Sequence, residues 1–151
     1  MDIKSYITGF TDGEGCFQIS ISKRNKMKLG LEVRPSFSVS QNKRSKDIIM
    51  FLQNHFKCGG VRFDKNDQTY KFEVRSIEDL IKIIIPHFEK YPLMTAKQED
   101  FKIFSEICRL IYSNHHLSQD GLKKILELSK DINVSGNKKY NREDLLKIVT
   151  R

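Results

Sequence analysis

The sequence predicts an α+β fold in the order αββαββα, with further helix at its C-terminal end. Two hairpin-like segments alternate apolar and polar residues with a period of two, and each is preceded and followed by a segment with helical periodicity. Beyond residue 112 only helical patterns recur. Four antiparallel strands with one apolar face would pack that face on helices and leave the other open.

Asp2 can cap a first helix whose Ile3, Tyr6, Ile7 and Phe10 follow the i, i+3, i+4, i+7 rule, ending among Gly13 to Gly15. In the next segment Phe17, Ile19 and Ile21 oppose Gln18, Ser20, Ser22 and Arg24. After the turn "NKMKLG", Leu31, Val33, Phe37 and Val39 oppose Glu32, Arg34, Ser36 and Ser38, and Pro35 argues for an edge position or a bulge. Ile48, Ile49, Leu52 and Phe56 mark a helix over about 46–56. A second hairpin sets Val61, Phe63, Tyr70, Phe72 and Val74 against Arg62, Asp64, Lys71, Glu73 and Arg75. Ser76 with Asp79 opens a helix that should stop or kink at Pro86, and Thr95 with Gln98 opens another running to about Tyr112. Residues 118–131 and 141–149 read as closing helices, with "NVSGNKKYN" as the loop between them.

The 151 residues suit a single domain, with residues 1–112 as its core and 113–151 as a helical extension. The formal net charge of +8 favours a polyanionic partner, nucleic acid before anionic membrane. Between Cys16 and Arg44 seven basic residues stand against one acid, Glu32, so the charge is local. No segment is apolar enough to span a membrane, no basic amphipathic helix marks a membrane surface, and "MDIKSY" lacks a signal peptide's pattern, so an intracellular location is expected. Cys16, Cys58 and Cys108 are odd in number and widely spaced, which predicts free thiols rather than disulfides or zinc.

On the first helix Ser5, Gly9, Asp12 and Gly13 fall on an arc of small residues separate from the apolar one. Gly9 inside a helix costs about 1 kcal/mol against alanine, which calls for a close backbone approach. That approach is either a tight contact within the fold or a second copy of the chain across a twofold axis. In the second case two helix C-termini meet, each carrying Glu14 and the negative end of a helix dipole, so a cation must hold them. A divalent metal with oxygen ligands can do so, and metals at such a seam can hydrolyse phosphodiesters. Lys97 lies in the first turn of its helix, where the dipole disfavours a cation, and this hints at a role outside the helix.

"YITGFTDGEG" resembles the LAGLIDADG motif: Ile7, Gly9, Asp12 and Gly15 match or nearly match, and Glu14 stands at the family's metal-binding acid. Thr8, Phe10, Thr11 and Gly13 are mild departures. The element order, "SIEDLIKII" and "FEKYPLMTAKQEDF" extend the resemblance over the first 112 residues. It implies a homing endonuclease that uses a saddle-like antiparallel sheet to hold double-stranded DNA and cuts both strands with Mg²⁺ or Mn²⁺, while Ca²⁺ supports binding without cleavage. Members carry two motifs in one chain or one motif in a homodimer. This chain has one, which implies a homodimer through the first helix (Ser5, Gly9, Asp12 and Gly13) and a near-palindromic target, although its later segments also resemble halves of two-motif members. The resemblance gives Glu14 and the Gly13 carbonyl as metal ligands, and Lys97 and Gln41 as catalytic partners.

For DNA contact, the outward residues Gln18, Ser20, Ser22, Arg24, Arg34, Ser36, Ser38, Arg62, Lys71, Glu73 and Arg75 suit a β-ribbon in the major groove. Lys43 and Arg44, at a strand end, suit phosphates. The alternatives are an intron RNA maturase or a DNA-binding protein of the same fold that does not cut. The abundance of Lys, Ile and Asn suits an A+T-rich organellar genome, mitochondrial or chloroplast.

Overall fold

A computed structural model describes residues 1–133 and 140–150 of the chain; most of the "NVSGNKKYN" loop lies outside the described residues. The element order is α1 (Ile3–Glu14), β1 (Gly15–Lys23), β2 (Leu31–Asn42), α2 (Lys46–Phe56), β3 (Gly60–Asp64), β4 (Thr69–Val74), α3 (Ile77–Asp79), a π-helical segment (Leu80–Ile84), α4 (Ile85–Lys90), α5 (Lys97–Tyr112), α6 (Gln119–Ser129) and α7 (Arg142–Val149), with 3₁₀ turns at Lys43–Ser45 and His115–Leu117. This is the expected α+β architecture. The four strands form one antiparallel sheet in the order β1-β2-β4-β3.

The inner face of the sheet is aromatic. The Phe17 ring lies 5.2 to 5.3 Å from Phe37, Phe88, Phe101 and Phe104, joining two strands to α4 and α5. All five rings are at most 3% exposed, and Phe72, Leu52 and Ile84 complete the layer. Burial of such side chains contributes about 1.5–3 kcal/mol each, and this face holds the strands flat against the helices. Cys16, Cys58 and Cys108 are free thiols, as expected.

Four expectations need correction. Pro35 lies on β2, an interior strand, in unbroken register with β1 from Gly15↔Val39 to Lys23↔Leu31, so there is neither an edge strand nor a bulge. The proline is tolerated because β4 pairs with β2 only from Phe37 onward, leaving Pro35 past the end of that ladder. Phe63, expected inward, is 39% exposed near the far end of the edge strand β3, where its ring packs on Tyr70 at 4.8 Å, whereas Val61 of the same strand packs on the core. On α1, Ile3 and Tyr6 are 45% and 41% exposed, and the buried residues are Ile7, Thr8 and Thr11. Thr8 can pack inward because its hydroxyl donates to the Tyr91 carbonyl at 2.8 Å and sits 3.1 Å from His87 Nε2. The helix opened by Thr95 begins at Lys97 with Ala96 as its cap residue; the Thr95 hydroxyl accepts from the Lys97 amide at 3.2 Å while donating to Asp12, but the reciprocal bond from Gln98 is missing because Gln98 turns back to the Leu93 amide.

At Pro86 the chain neither stops nor simply kinks. The preceding Leu80–Ile84 turn widens to π geometry, which relieves the clash a proline ring makes with the carbonyl four residues earlier. Ser76, Ser118 and Asn141 cap their helices through the amides of Asp79, Gly121 and Glu143. Two residues of the C-terminal part hold the outer edge of β1: Asn133 Nδ2 donates to the Phe17 carbonyl at 2.7 Å and an Arg142 Nη to the Ile19 carbonyl at 3.0 Å.

Candidate nucleic-acid interface and active site

Helix α1 ends at Glu14 and β1 begins at Gly15 with no loop between them. Only glycine fits this junction. A Cβ on Gly15 would lie 2.5 Å from Thr11 Cγ2 and 2.9 Å from the Thr11 carbonyl oxygen. The tight junction puts the end of the helix, with its negative dipole, at the rim of the sheet.

Lys97 reaches this point from α5. Its Nζ donates to the carbonyls of Thr11 at 2.9 Å and Asp12 at 3.0 Å, so the ammonium is fixed on the terminal turn of α1. The unfavourable position of Lys97 in its own helix is offset by a favourable one at the end of another. Asp12 fastens the same two elements: its carboxylate accepts from the Met94 amide at 2.7 Å, the Thr95 hydroxyl at 2.6 Å and the Thr95 amide at 3.2 Å. Burial pushes the Asp12 carboxyl upward, but the Thr95 hydroxyl, the two amides and the Lys97 charge outweigh it and hold it below the usual carboxylate value. Asp12, expected on the arc of small residues, therefore has its polar atoms engaged within the chain.

Glu14 is exposed, and its carboxylate has no hydrogen-bond or ion-pair partner among the described residues. Gln41 lies on β2 two residues beyond the Gly15↔Val39 rung, past the last residue of β1, where it pairs with Tyr70 of β4. Glu14 and Lys97, far apart in sequence, thus both stand at the C-terminal turn of α1. Among the described residues no three His, Cys, Asp or Glu side chains gather as a metal cluster. The oxygen donors at hand are the Glu14 carboxylate and the backbone carbonyls of the turn, a hard donor set that fits Mg²⁺ but needs ligands from elsewhere to complete it.

Gly9 and Gly13 lie on open surface: a Cβ on either would meet nothing within 4 Å in this chain. The tight contact that Gly9 calls for is therefore not made among the described residues. Ser5 is exposed beside them and donates to Asp2 at 2.7 Å.

The outer face of the sheet forms a groove lined by Gln18, Ser20, Ser22, Arg34, Ser36, Arg62, Lys71, Glu73 and Arg75, with Cys16, Asn133 and Arg142. Ser36, 7% exposed, lies at the floor of the groove, whereas Ser38, 6% exposed, is buried and does not line it. Two acids organise the cations. Glu73 lies 3.0 Å from Arg75 and 3.6 Å from Lys71, and Glu32 lies 2.6 Å from Arg24 and 3.6 Å from Arg34. Arg62 stands directly across from Lys71, a like-charge pairing that costs stability in a free sheet and favours an anion above it. Lys43 donates to Gln68, and Arg44 is exposed at the end of β2. Glu32, Asn133 and Arg142 are additions to the residues expected from sequence. Glu32 could have been found as the lone acid in a basic segment; the other two act across more than 115 residues and leave no local signal.

The family model described as LAGLIDADG endonuclease matches residues 7–108. The chain belongs to the LAGLIDADG endonuclease family. It is 41% identical over 130 residues to a probable intron-encoded endonuclease of Neurospora crassa, covering 85% of this chain but 29% of that protein, so the chain spans under a third of that relative's length. The crystal structure of the homing endonuclease I-TnaI superposes with a TM-score of 0.84 at 36% identity, over 99% of this chain and 98% of that one. I-SmaMI, bound to uncleaved DNA in the presence of calcium ions, superposes with a TM-score of 0.87 at 32% identity, over 98% of this chain and 49% of that one. Within this family resemblance the motif's last glycine is the Gly15 of the junction, and its acid is the unpartnered Glu14. No helix among the described residues is long and apolar enough to cross a membrane.

Proposed function

We propose that this chain acts as a site-specific homing endonuclease, making a metal-dependent double-strand break in a near-palindromic DNA target as a homodimer. The observation that carries the reading is an exposed Glu14 carboxylate, without a partner among the described residues, on the same helix end that holds Lys97, together with a basic groove on the sheet. The basic outer face receives duplex DNA, Arg and Glu side chains read base edges, and strand-end cations such as Lys43 and Arg44 hold phosphates.

The two open glycines of α1 support a homodimer through that helix, since small residues let two backbones approach closely. I-TnaI, a homing endonuclease whose chain this one covers to 98%, supports a nuclease built from chains of this length. Pairing brings two copies of Glu14 together, and the Gly13 carbonyl, DNA phosphate oxygens and water complete the donor set for Mg²⁺ or Mn²⁺. When bound, the cation supplies Lewis acidity and an activated water at neutral pH. Lys97 holds positive charge toward the scissile phosphate, and Gln41 orients the attacking water by hydrogen bonding. The calcium-bound, uncleaved complex of I-SmaMI supports the expectation that Ca²⁺ gives binding without cleavage here. Residues 1–112 form the nuclease unit and 113–151 its extension. The intron-encoded name of the Neurospora relative supports an organellar, intracellular setting.

The test is a cleavage selection on a randomised duplex library in Mg²⁺, with Ca²⁺ as control, repeated with Glu14→Gln. Recurring, roughly twofold-symmetric cuts that the variant loses while still binding DNA are expected. A variant that still cuts removes Glu14 from the mechanism, and binding without cuts in either metal moves the function to an RNA maturase or a non-cutting DNA-binding protein. Light scattering of the DNA complex should give the mass of two 17.7 kDa chains, and the mass of one would refute the dimer.

A further inference from the structure

Arg142 is a cation in an unusual position. It is the first residue of α7, where the helix dipole disfavours positive charge, and it is only 8% exposed. It makes no ion pair among the described residues; an Nη donates to the Ile19 carbonyl at 3.0 Å, and its Nε, fully buried, has no acceptor. Burial lowers its pKa from the ordinary arginine value, in keeping with a guanidinium short of counter-charge.

Removing a charge from water without a partner costs several kcal/mol, and a backbone carbonyl returns only part of that. The single bond to Ile19 does not account for the choice of arginine, because one neutral donor would satisfy that carbonyl. Arg142 also lines the groove, on the wall beyond β1 and across the floor from Arg34, Arg62, Lys71 and Arg75. The groove is therefore basic on both sides, although its second wall comes from a segment with no strand in the sheet.

We propose that Arg142 is a DNA-contacting residue, an anchor for one backbone phosphate on the β1 side of the groove, so that the C-terminal extension forms part of the nucleic-acid interface. A phosphate supplies the counter-charge that the described residues do not, accepting a charge-assisted bond from the Nη that Ile19 leaves free. The bond to Ile19 fixes the side chain against the sheet, so the anchor is ordered before DNA arrives. The contact sets affinity and register rather than base preference. This inference rests on the duplex-DNA reading above.

The experiment is equilibrium binding of a random-sequence 30-base-pair duplex in Ca²⁺ across a KCl series, for the unaltered chain, Arg142→Gln, Arg142→Lys and the control Lys82→Gln, each checked for folding by thermal melting. The slope of log K against log[salt] should be shallower by about 0.9 in Arg142→Gln, one phosphate's worth, and should return in Arg142→Lys. Affinity near physiological salt should fall about tenfold or more in Arg142→Gln, as expected for a lost charge-assisted bond. An unchanged slope in folded Arg142→Gln, with salt-dependent binding by the unaltered chain, overturns the anchor and leaves the DNA reading standing. Binding by the unaltered chain without salt dependence overturns both. Should Arg142→Gln fail to fold, ¹⁵N NMR of the Arg142 guanidinium in the unaltered chain decides: a shifted, exchange-protected signal on adding the duplex supports the anchor, and an unmoved one overturns it.

Discussion

The two faces of the sheet are built from the same four strands and obey opposite rules. On the inner face Phe17, Phe37 and Phe72 meet helical aromatics in close packing, and nothing there is free to change size. On the outer face Glu32 and Glu73 each sit between two cations that stay substantially exposed, so substitution changes charge and reach more than packing. Period-two alternation thus separates what makes the fold from what the fold can recognise. A family built on this plan can alter its DNA target without rebuilding its core.

The separation can be broken most forcefully from inside. Phe37→Ala should cost about 3–5 kcal/mol of stability, measured by denaturant unfolding, and any folded remainder should keep the base preference of the unaltered protein. Substitution on the outer face should do the reverse. Glu73→Gln should change preference at one base pair by about 1–3 kcal/mol in a competition binding assay. Its melting should shift by under about 0.5 kcal/mol, because its partners are surface cations.

Acid should sharpen the contrast, because the titratable groups tied to the helical side lie behind the sheet. Burial drives His87 down to about 4, so it is neutral in the fold. A depressed histidine contributes stability that is complete above its unfolded value of about 6.5 and is lost as pH falls toward 4. Chemical unfolding across that range should show the loss, and His87→Gln should flatten it. Asp12, also depressed, contributes above the ordinary carboxylate value, and its share should disappear at still lower pH, loosening the α1–α5 junction. The smallest effect is reserved for Arg24→Gln, where an exposed pair with Glu32 should contribute no more than about 1 kcal/mol to stability by double-mutant cycle.

Legibility in the sequence followed distance along the chain. The strands, α1, α2 and the Asp2 and Ser76 caps were readable because alternation, periodicity and capping are local properties. Pro35 was misjudged because its tolerance depends on where β4 stops, a fact of pairing between distant segments. The Thr95–Gln98 box is only half formed: Thr95 accepts from the Lys97 amide, but Gln98 is taken by the Leu93 amide and the Thr95 hydroxyl proton goes to Asp12, 83 positions away. The dipole argument singled out Lys97, yet only the folded chain identifies its acceptors, 85 and 86 residues away. Ile3 and Tyr6 fitted a buried helical stripe but remain exposed, since apolar spacing does not say whether the covering surface lies in the same chain.

The contacts of Asn133 and Arg142 with β1 have a further consequence. An outermost strand offers its free carbonyls to any other strand that drifts near, and β1 is long enough to be a ready template. By occupying the Phe17 and Ile19 carbonyls, the C-terminal segment acts as a guard against self-templated sheet growth. A chain cut short after α6 would expose that edge, and its principal failing should be insolubility at high concentration.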